Sequence, residues 1–573
     1  MRVSIFTRVA VALAALSGQA AAMGLSTTLA RRDLRLSAEK GINPEMFMRL
    51  RDSVHAQVTE GAGPAVAEEY VSIPIDHANA SVGTYQNRYW VSDEHYRLGG
   101  PVFVYDVGES NAESAAEHHL ANDTSFFYHM LEEFGGMGIA WEHRYYGKSL
   151  PFPISKDTPP EHFQYLTNKQ ALADIPFFAQ NFNRKEYGRV DLRPDATPWV
   201  MVGGSYAGMR AAFTRNEYPE TIFAAYASSA PVQARIDMSV YFDQVYAGMV
   251  ANGYLNCTKD LRAAMQYIDG ELAKNASAAA AIKQRFFGPG AEKNGHGEFT
   301  AALAGAYGFF QAYGVGEGDG SISSLCEHLE VDPTGKVAGP HGFAPVRGRE
   351  YVAKRFASWP IFTELVNFNY ETNCNQFNQS APLSCVLNPP SVDPDNISWA
   401  WQYCTEWGYF QSNNFGPHSL LSRYQNLNYV QLTCNRQFPE AVAKGLLPKY
   451  PRADAMNNET GGWTIRPSNV YWSGGEFDPW RTLSPLATQD FAPQGVSFTT
   501  DIPKCNVETG PGTVFGYIME NAEHCFDMQS TFAPGRIANA YFHEALKVWL
   551  PCFQGKRDCG HWGGFGIAGA RQE

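Results

Sequence analysis

The chain has 573 residues, 44% of them hydrophobic and 18% charged, with a formal net charge of −13. That length exceeds one ordinary domain and can bury a large core. The acidic balance excludes the basic surface that nucleic-acid binding requires. Residues 1–22 read as a secretory signal: Arg2 and Arg8 precede an apolar stretch from Val9 to Leu16, and small residues from Gln19 to Ala22 suit cleavage. The stretch is shorter than the roughly 20 residues that span a bilayer, and no later run reaches that length, so a secreted or lumenal product with no membrane span is expected. Arg31-Arg32 reads equally as a processing site for a short pro-segment or as an exposed basic pair.

In chain order, GPVFVYDVG (Gly100 to Gly108) is a predicted buried strand ending in the loop VGESNAE, and MGIAWEHRYYG (Met137 to Gly147) is a second. Glu142, His143 and Arg144, at the end of the latter, are expected to hold a loop by hydrogen bonds. The helical NKQALADIPFFAQNF then leads into WVMVGGSYAGMR, Trp199 to Arg210, an apolar run that breaks into small residues around Ser205. A strand turning sharply into a helix puts its serine in strained φ/ψ and leaves little room for neighbouring side chains, which Gly203, Gly204, Ala207 and Gly208 satisfy. Ser205 is the predicted nucleophile, and the N–H of Tyr206, at the helix start, can donate to an oxyanion. The Gly108/Glu109 loop, placed as in α/β-hydrolases, is expected to supply the second donor, assigned to Glu109.

Tyr218 to Val232 reads as the next strand. A serine needs a base and the base an orienter, in the order Asp then His for this fold. NVYWSGGEFDPW carries Asp478 past a strand end and VFGYIMENAEHCFDM carries His524; Glu476 is a rival acid, and Asp527 is placed to bond locally. Asp478 lies 273 residues beyond Ser205, far more than two further strands and their helices need, so an insertion is expected at about 236–460, with helix-like runs and six of the ten cysteines. The closing segment GRIANAYFHEALKVWL is read as an amphipathic helix presenting Ile537, Tyr541, Ala545 and Trp549 to the sheet. The expected fold is therefore an α/β-hydrolase with a large, mainly helical cap: signal 1–22, first part 23–235, cap 236–460, second part 461–573.

Seven sequons, at Asn79, Asn122, Asn256, Asn275, Asn378, Asn396 and Asn458, are candidate glycan sites, some of them unused. In an oxidising compartment the ten cysteines read as disulfides, and Cys525 is expected in one that clamps the His524 loop, Cys505 lying one strand earlier. No metal-ligand spacing or phosphate loop occurs, and no cofactor is expected.

GGSYAGM, EHRYYGKSLP, YLTNKQALAD, GGEFDPW and EHCFD, in that order between about residues 70 and 550, together resemble the S28 serine peptidases. The resemblance implies Ser205 as nucleophile, Asp478 as orienter, His524 as base, and a proline pocket lined by Met209 and Trp480. It further implies hydrolysis of proline-containing peptides after proline, as exopeptidase or endopeptidase, in an extracellular or acidic vacuolar or lysosomal setting, with activity at mildly acidic pH. Local physics pulls against acid activity, because a carboxylate beside His524 favours its charged form; desolvation under the cap would be needed to lower the pKa. Lys148 in YYGKS stands where an acid is usual, and VGES replaces a more Gly-rich oxyanion loop. A carboxylesterase or lipase, or a non-catalytic binding module on the same fold, is the alternative.

Overall fold

The structure, a computed structural model, describes Arg35, Ala38, Glu39 and residues 66–553; the signal segment, Arg31-Arg32 and Cys559 lie outside the described residues. Its strands are β1 (Glu68–Pro74), β2 (Thr84–Ser92), β3 (Val102–Asp106), β4 (Met137–Trp141), β5 (Trp199–Gly204), β6 (Ala224–Ser228), β7 (Arg235–Asp237), β8 (Gly408–Phe410), β9 (Val470–Gly475), β10 (Ser497–Thr499) and β11 (Thr513–Met519). Nine of them form one sheet in the order β1-β2-β4-β3-β5-β6-β9-β11-β10. β1 and β2 run antiparallel to their neighbours at one edge, and the strands from β4 to β10 are parallel.

Burial explains the composition of these strands. Every residue of β3, β4, β5, β6 and β9 is buried, as parallel strands covered on both faces require, and their sequences are accordingly near-continuous apolar runs. Side chains alternate between two cores: Val102, Val104, Trp199 and Met201 pack on one face, Phe103, Tyr105, Val200 and Val202 on the other. The fold is an α/β-hydrolase with a helical insertion. Between β6 and β9 the chain builds mostly helices, among them Val240–Ala251, Leu255–Lys274, Ala276–Phe287 and Pro394–Gln402, with β7 and β8 pairing as a two-stranded sheet at its base. Disulfides Cys257–Cys326, Cys374–Cys385 and Cys404–Cys434 lie within this stretch, and Cys505–Cys552 ties the loop after β10 to the chain beyond the closing helix. Among the described residues no helix is long and apolar enough to cross a membrane.

Two expectations are corrected. Cys525 is a free, buried thiol, and Cys505 pairs with Cys552 instead. The Cys525 sulfur is packed against Gly204 of β5, where a Cβ would lie 3.0 Å from it, so it fills core beneath the serine turn. Of the sequon asparagines, Asn396 is 2% exposed within its helix, whereas Asn79, Asn275, Asn378 and Asn458 are exposed. The closing helix, Ala533–Trp549, buries Gly535, Ala538, Phe542, Ala545, Leu546 and Trp549, while Ile537 is 49% exposed. Four-residue steps overshoot a 3.6-residue turn by about 40° each, so a stripe drawn on Ile537 and Trp549 drifts off the buried face. Trp549→Ala should therefore cost about 3–5 kcal/mol by denaturant unfolding, and Ile537→Ala about 0.5 kcal/mol; equal losses would contradict this packing.

Candidate active site

The site begins at the turn between β5 and the helix Tyr206–Glu217. Ser205 sits there with φ 62° and ψ −129°, a conformation that a non-glycine residue holds only when its surroundings enforce it. The enforcement is visible on both sides. The Ser205 N–H donates to the Ser228 carbonyl at 2.9 Å and its carbonyl accepts from the Met209 N–H at 3.1 Å. A Cβ on Gly203 would meet the Ala207 carbonyl at 2.5 Å, and one on Gly208 the Ser228 oxygen at 2.6 Å. Glycine at these two positions is what lets the helix close onto β5 and β6.

Asp478 and His524 leave β9 and β11 at the same end of the sheet. His524 Nδ1 lies 2.9 Å from Asp478 Oδ1, which also accepts the Trp480 N–H at 2.9 Å. In the neutral imidazole Nδ1 donates its proton to Asp478, and Nε2, which is buried and has no hydrogen-bond partner, is left as the acceptor. Ser205, Tyr206, Glu109, Trp480 and His524 line one cavity. Burial lowers the affinity of His524 for its proton, but the Cys525 sulfur and the Asp478 carboxylate outweigh it and push the imidazole up to about 10. The local attraction thus exceeds the desolvation that an acid-active base would need.

The rival carboxylates have other occupations. Glu476 is exposed and its Oε2 accepts the Asn521 N–H. Asp527 is fully buried and accepts from the hydroxyls of Tyr226, Ser228 and Ser473. Glu142 binds Arg88 and the amides of Ala112, Lys148 and Ser149, holding the loop after β4. Lys148 itself reaches outward to Glu68 at 2.9 Å.

For the oxyanion, the Tyr206 N–H belongs to a first helical turn and has no intrahelical acceptor. Of the Gly108/Glu109 pair, the Gly108 N–H is committed to Asp106 Oδ1 at 3.0 Å, while Asp106 Oδ2 takes Arg210 Nε at 2.6 Å, which binds this loop to the serine helix. That leaves the Glu109 amide as the loop's candidate donor.

Met209 departs from its expected role. It is fully buried behind Tyr409, whose hydroxyl lies 3.7 Å from its sulfur, and it does not line the cavity. On a helix, a residue four positions past the serine turns back beneath it, and Tyr409 from the insertion lines the cavity instead. Tyr409 packs edge-on against Trp480, with centroids 5.2 Å apart. Two further residues that sequence reasoning missed also come from the insertion. Gln311 accepts from Trp480 Nε1 at 2.9 Å and from the Tyr241 hydroxyl at 3.0 Å, and its carbonyl accepts the His524 N–H. Gln402 donates to the Tyr206 hydroxyl at 2.6 Å and accepts from Tyr146. Burial holds His143 well below the usual histidine range, and its Nδ1 donates to the Arg144 carbonyl, so its Nε2 accepts from Tyr206 at 3.1 Å. The Tyr206 hydroxyl thus has both a donor and an acceptor partner.

The sequence matches the Peptidase S28 family, serine carboxypeptidase S28, over residues 74–501. A probable extracellular serine carboxypeptidase of Arthroderma benhamiae is 27% identical over 79% of this chain, and the chain spans 63% of that relative's length. The thymus-specific serine protease of Mus musculus is 27% identical over 87% of this chain and 91% of its own. The lysosomal Pro-X carboxypeptidase of Mus musculus is 33% identical over a shorter stretch, 37% of this chain and 42% of its own. With the family matched over most of its length and the sheet order of an α/β-hydrolase, the chain belongs to the S28 family of serine peptidases.

Proposed function

We propose that this protein is a secreted or lumenal peptidase that cleaves after proline, with Ser205, His524 and Asp478 as its catalytic unit. The observation that carries the reading is the pairing of a strained serine with an unpartnered imidazole nitrogen in one cavity, the other ring nitrogen being held by a buried aspartate. Ser205 Oγ attacks the peptide carbonyl as its proton passes to His524 Nε2, and the amides of Tyr206 and Glu109 receive the oxyanion. His524 returns the proton to the departing amine, and water then repeats the sequence on the acyl-enzyme. Residues 236–460 act as the cap, supplying Gln311, Tyr409 and Gln402 and shielding the reacting groups from water.

The proline preference is supported by the name of the lysosomal Pro-X relative and by the aromatic edge of the cavity, where Tyr409 and Trp480 meet. Two extra ring carbons are worth about 0.8 kcal/mol each, so apolar contact alone favours proline over alanine roughly 15-fold. The esterase alternative shares the catalytic unit and differs in substrate: parallel assays with a peptide and a p-nitrophenyl ester separate the two.

Ser205→Ala, His524→Ala and the double variant should each lose kcat by about a million-fold, with no further loss on combination, because the groups act as one unit; additive losses would contradict the assignment. Trp480→Ala should narrow the Pro/Ala ratio of kcat/KM, and a substrate scan preferring basic or bulky aromatic residues before the cut would end the proline reading. Since the base is the neutral imidazole and its pKa is pushed to about 10, kcat/KM should still rise between about pH 7 and 9. A profile already flat above about pH 6 would contradict the raised imidazole while leaving the catalytic unit in place.

A further inference from the structure

The charge-bearing side chains on the cavity wall, among the described residues, are Arg35, Glu109, Asp395 and His524. His524 is bound to Asp478. Asp395 is committed to structure: its Oδ2 accepts the Asn111 N–H at 2.7 Å and its Oδ1 the Gly147 N–H at 2.9 Å. Glu109 differs from both, because its Oε2 is buried and accepts no hydrogen bond. A buried carboxylate oxygen in this condition is costly unless a cation enters beside it. Burial does push the Glu109 carboxyl above its ordinary range, and the charge of Arg35 draws it back.

Arg35 comes from far upstream of the sheet, and it is anchored. One helical turn on, Ala38 and Glu39 are 5% and 3% exposed. Glu39 Oε2 lies 3.5 Å from His119 Nε2, and Glu39 Oε1 is 3.5 Å from Arg35 Nε. His119 belongs to the helix Glu113–Ala121, which follows the Glu109 loop directly, and its Nδ1 is fixed by Ser125 at 2.9 Å. The guanidinium is thus delivered to the cavity by a buried contact on the element next to Glu109.

We infer that Glu109 forms a cation-recognising subsite beside Ser205 that accepts an ammonium or guanidinium group of a peptide substrate, and that Arg35, paired with Glu39 on the same cavity wall, competes with that cation. The inference rests on the reading of Ser205 as the nucleophile. A guanidinium is the side chain best suited to a buried carboxylate, and as a tethered group it competes at high effective concentration with substrate. The cation could be a free α-amino terminus or a Lys or Arg side chain; the chemistry is shared, and the substrates distinguish them.

The test uses the full chain and two pairs of proline substrates with one fluorogenic leaving group: free against acetylated amino terminus, and acetylated peptides with Arg against Gln before the proline. Arg35→Ala should raise kcat/KM for the cationic member of at least one pair by roughly 10- to 100-fold more than for its neutral partner, the range of a charge-assisted hydrogen bond. Glu109→Gln should collapse that pair's ratio toward one, whatever the absolute rate. A response in the first pair assigns the amino terminus, and one in the second a side chain. Unchanged ratios in both variants overturn the proposal. So does a loss of activity in Arg35→Ala confined to peptides with a free carboxyl terminus, which would make Arg35 a carboxylate ligand. Should Glu109→Gln fold poorly, L-arginine amide decides: it should inhibit Arg35→Ala competitively at least tenfold more tightly than wild type, and equal inhibition counts against the subsite. Hydrolysis of the neutral substrates, dependent on Ser205, reports separately on the underlying catalytic reading.

Discussion

Everything around the site depends on the backbone at Ser205 being held at positive φ. No local preference keeps a serine there; the hydrogen bond from its amide to Ser228 and the contact of the helix on Gly203 and Gly208 do. Because β5 pairs with β6 through Gly204 and Ser228, and β6 with β9 through Ser228 and Ser473, the turn is referenced to the strand that delivers Asp478. β11, paired with β9 up to Met519 and Gly475, carries His524 into the same frame. Ser205, His524 and Asp478 are therefore spaced by the register of the strands that lead to them.

The insertion contributes more than a roof. Gln311 fixes the His524 loop and the Trp480 ring together, and Gln402 completes the hydrogen bonding of Tyr206, the proposed oxyanion donor. Each is a neutral amide that can donate and accept at once, so these two residues add orientation without adding charge near His524. Arg210 and Asp106 lock the Gly108/Glu109 loop to the serine helix, and Asp527 is enclosed by three hydroxyls.

What the sequence reveals follows from how local each constraint is. Small residues around Ser205, apolar runs that end at Asp478 and His524, and the oversized gap between them are visible in one dimension because each reports a backbone requirement or an excess of length. Met209 and Cys525 misled because their surroundings are made by distant chain: Tyr409 covers the methionine and Gly204 receives the thiol. Gln311 and Gln402 carry no signal of their own, since a glutamine in a helical run is ordinary until its partners are known. The Ile537 error is geometrical, a four-residue stripe standing in for a 3.6-residue turn.

The central claim is that Ser205, activated by His524, forms a covalent acyl-enzyme in this cavity. Labelling with a fluorophosphonate followed by peptide mapping tests it most directly. The account predicts one adduct per chain, on the peptide containing Ser205, absent from Ser205→Ala and strongly slowed in His524→Ala. Full labelling of Ser205→Ala, or an adduct mapped to another residue, would contradict it.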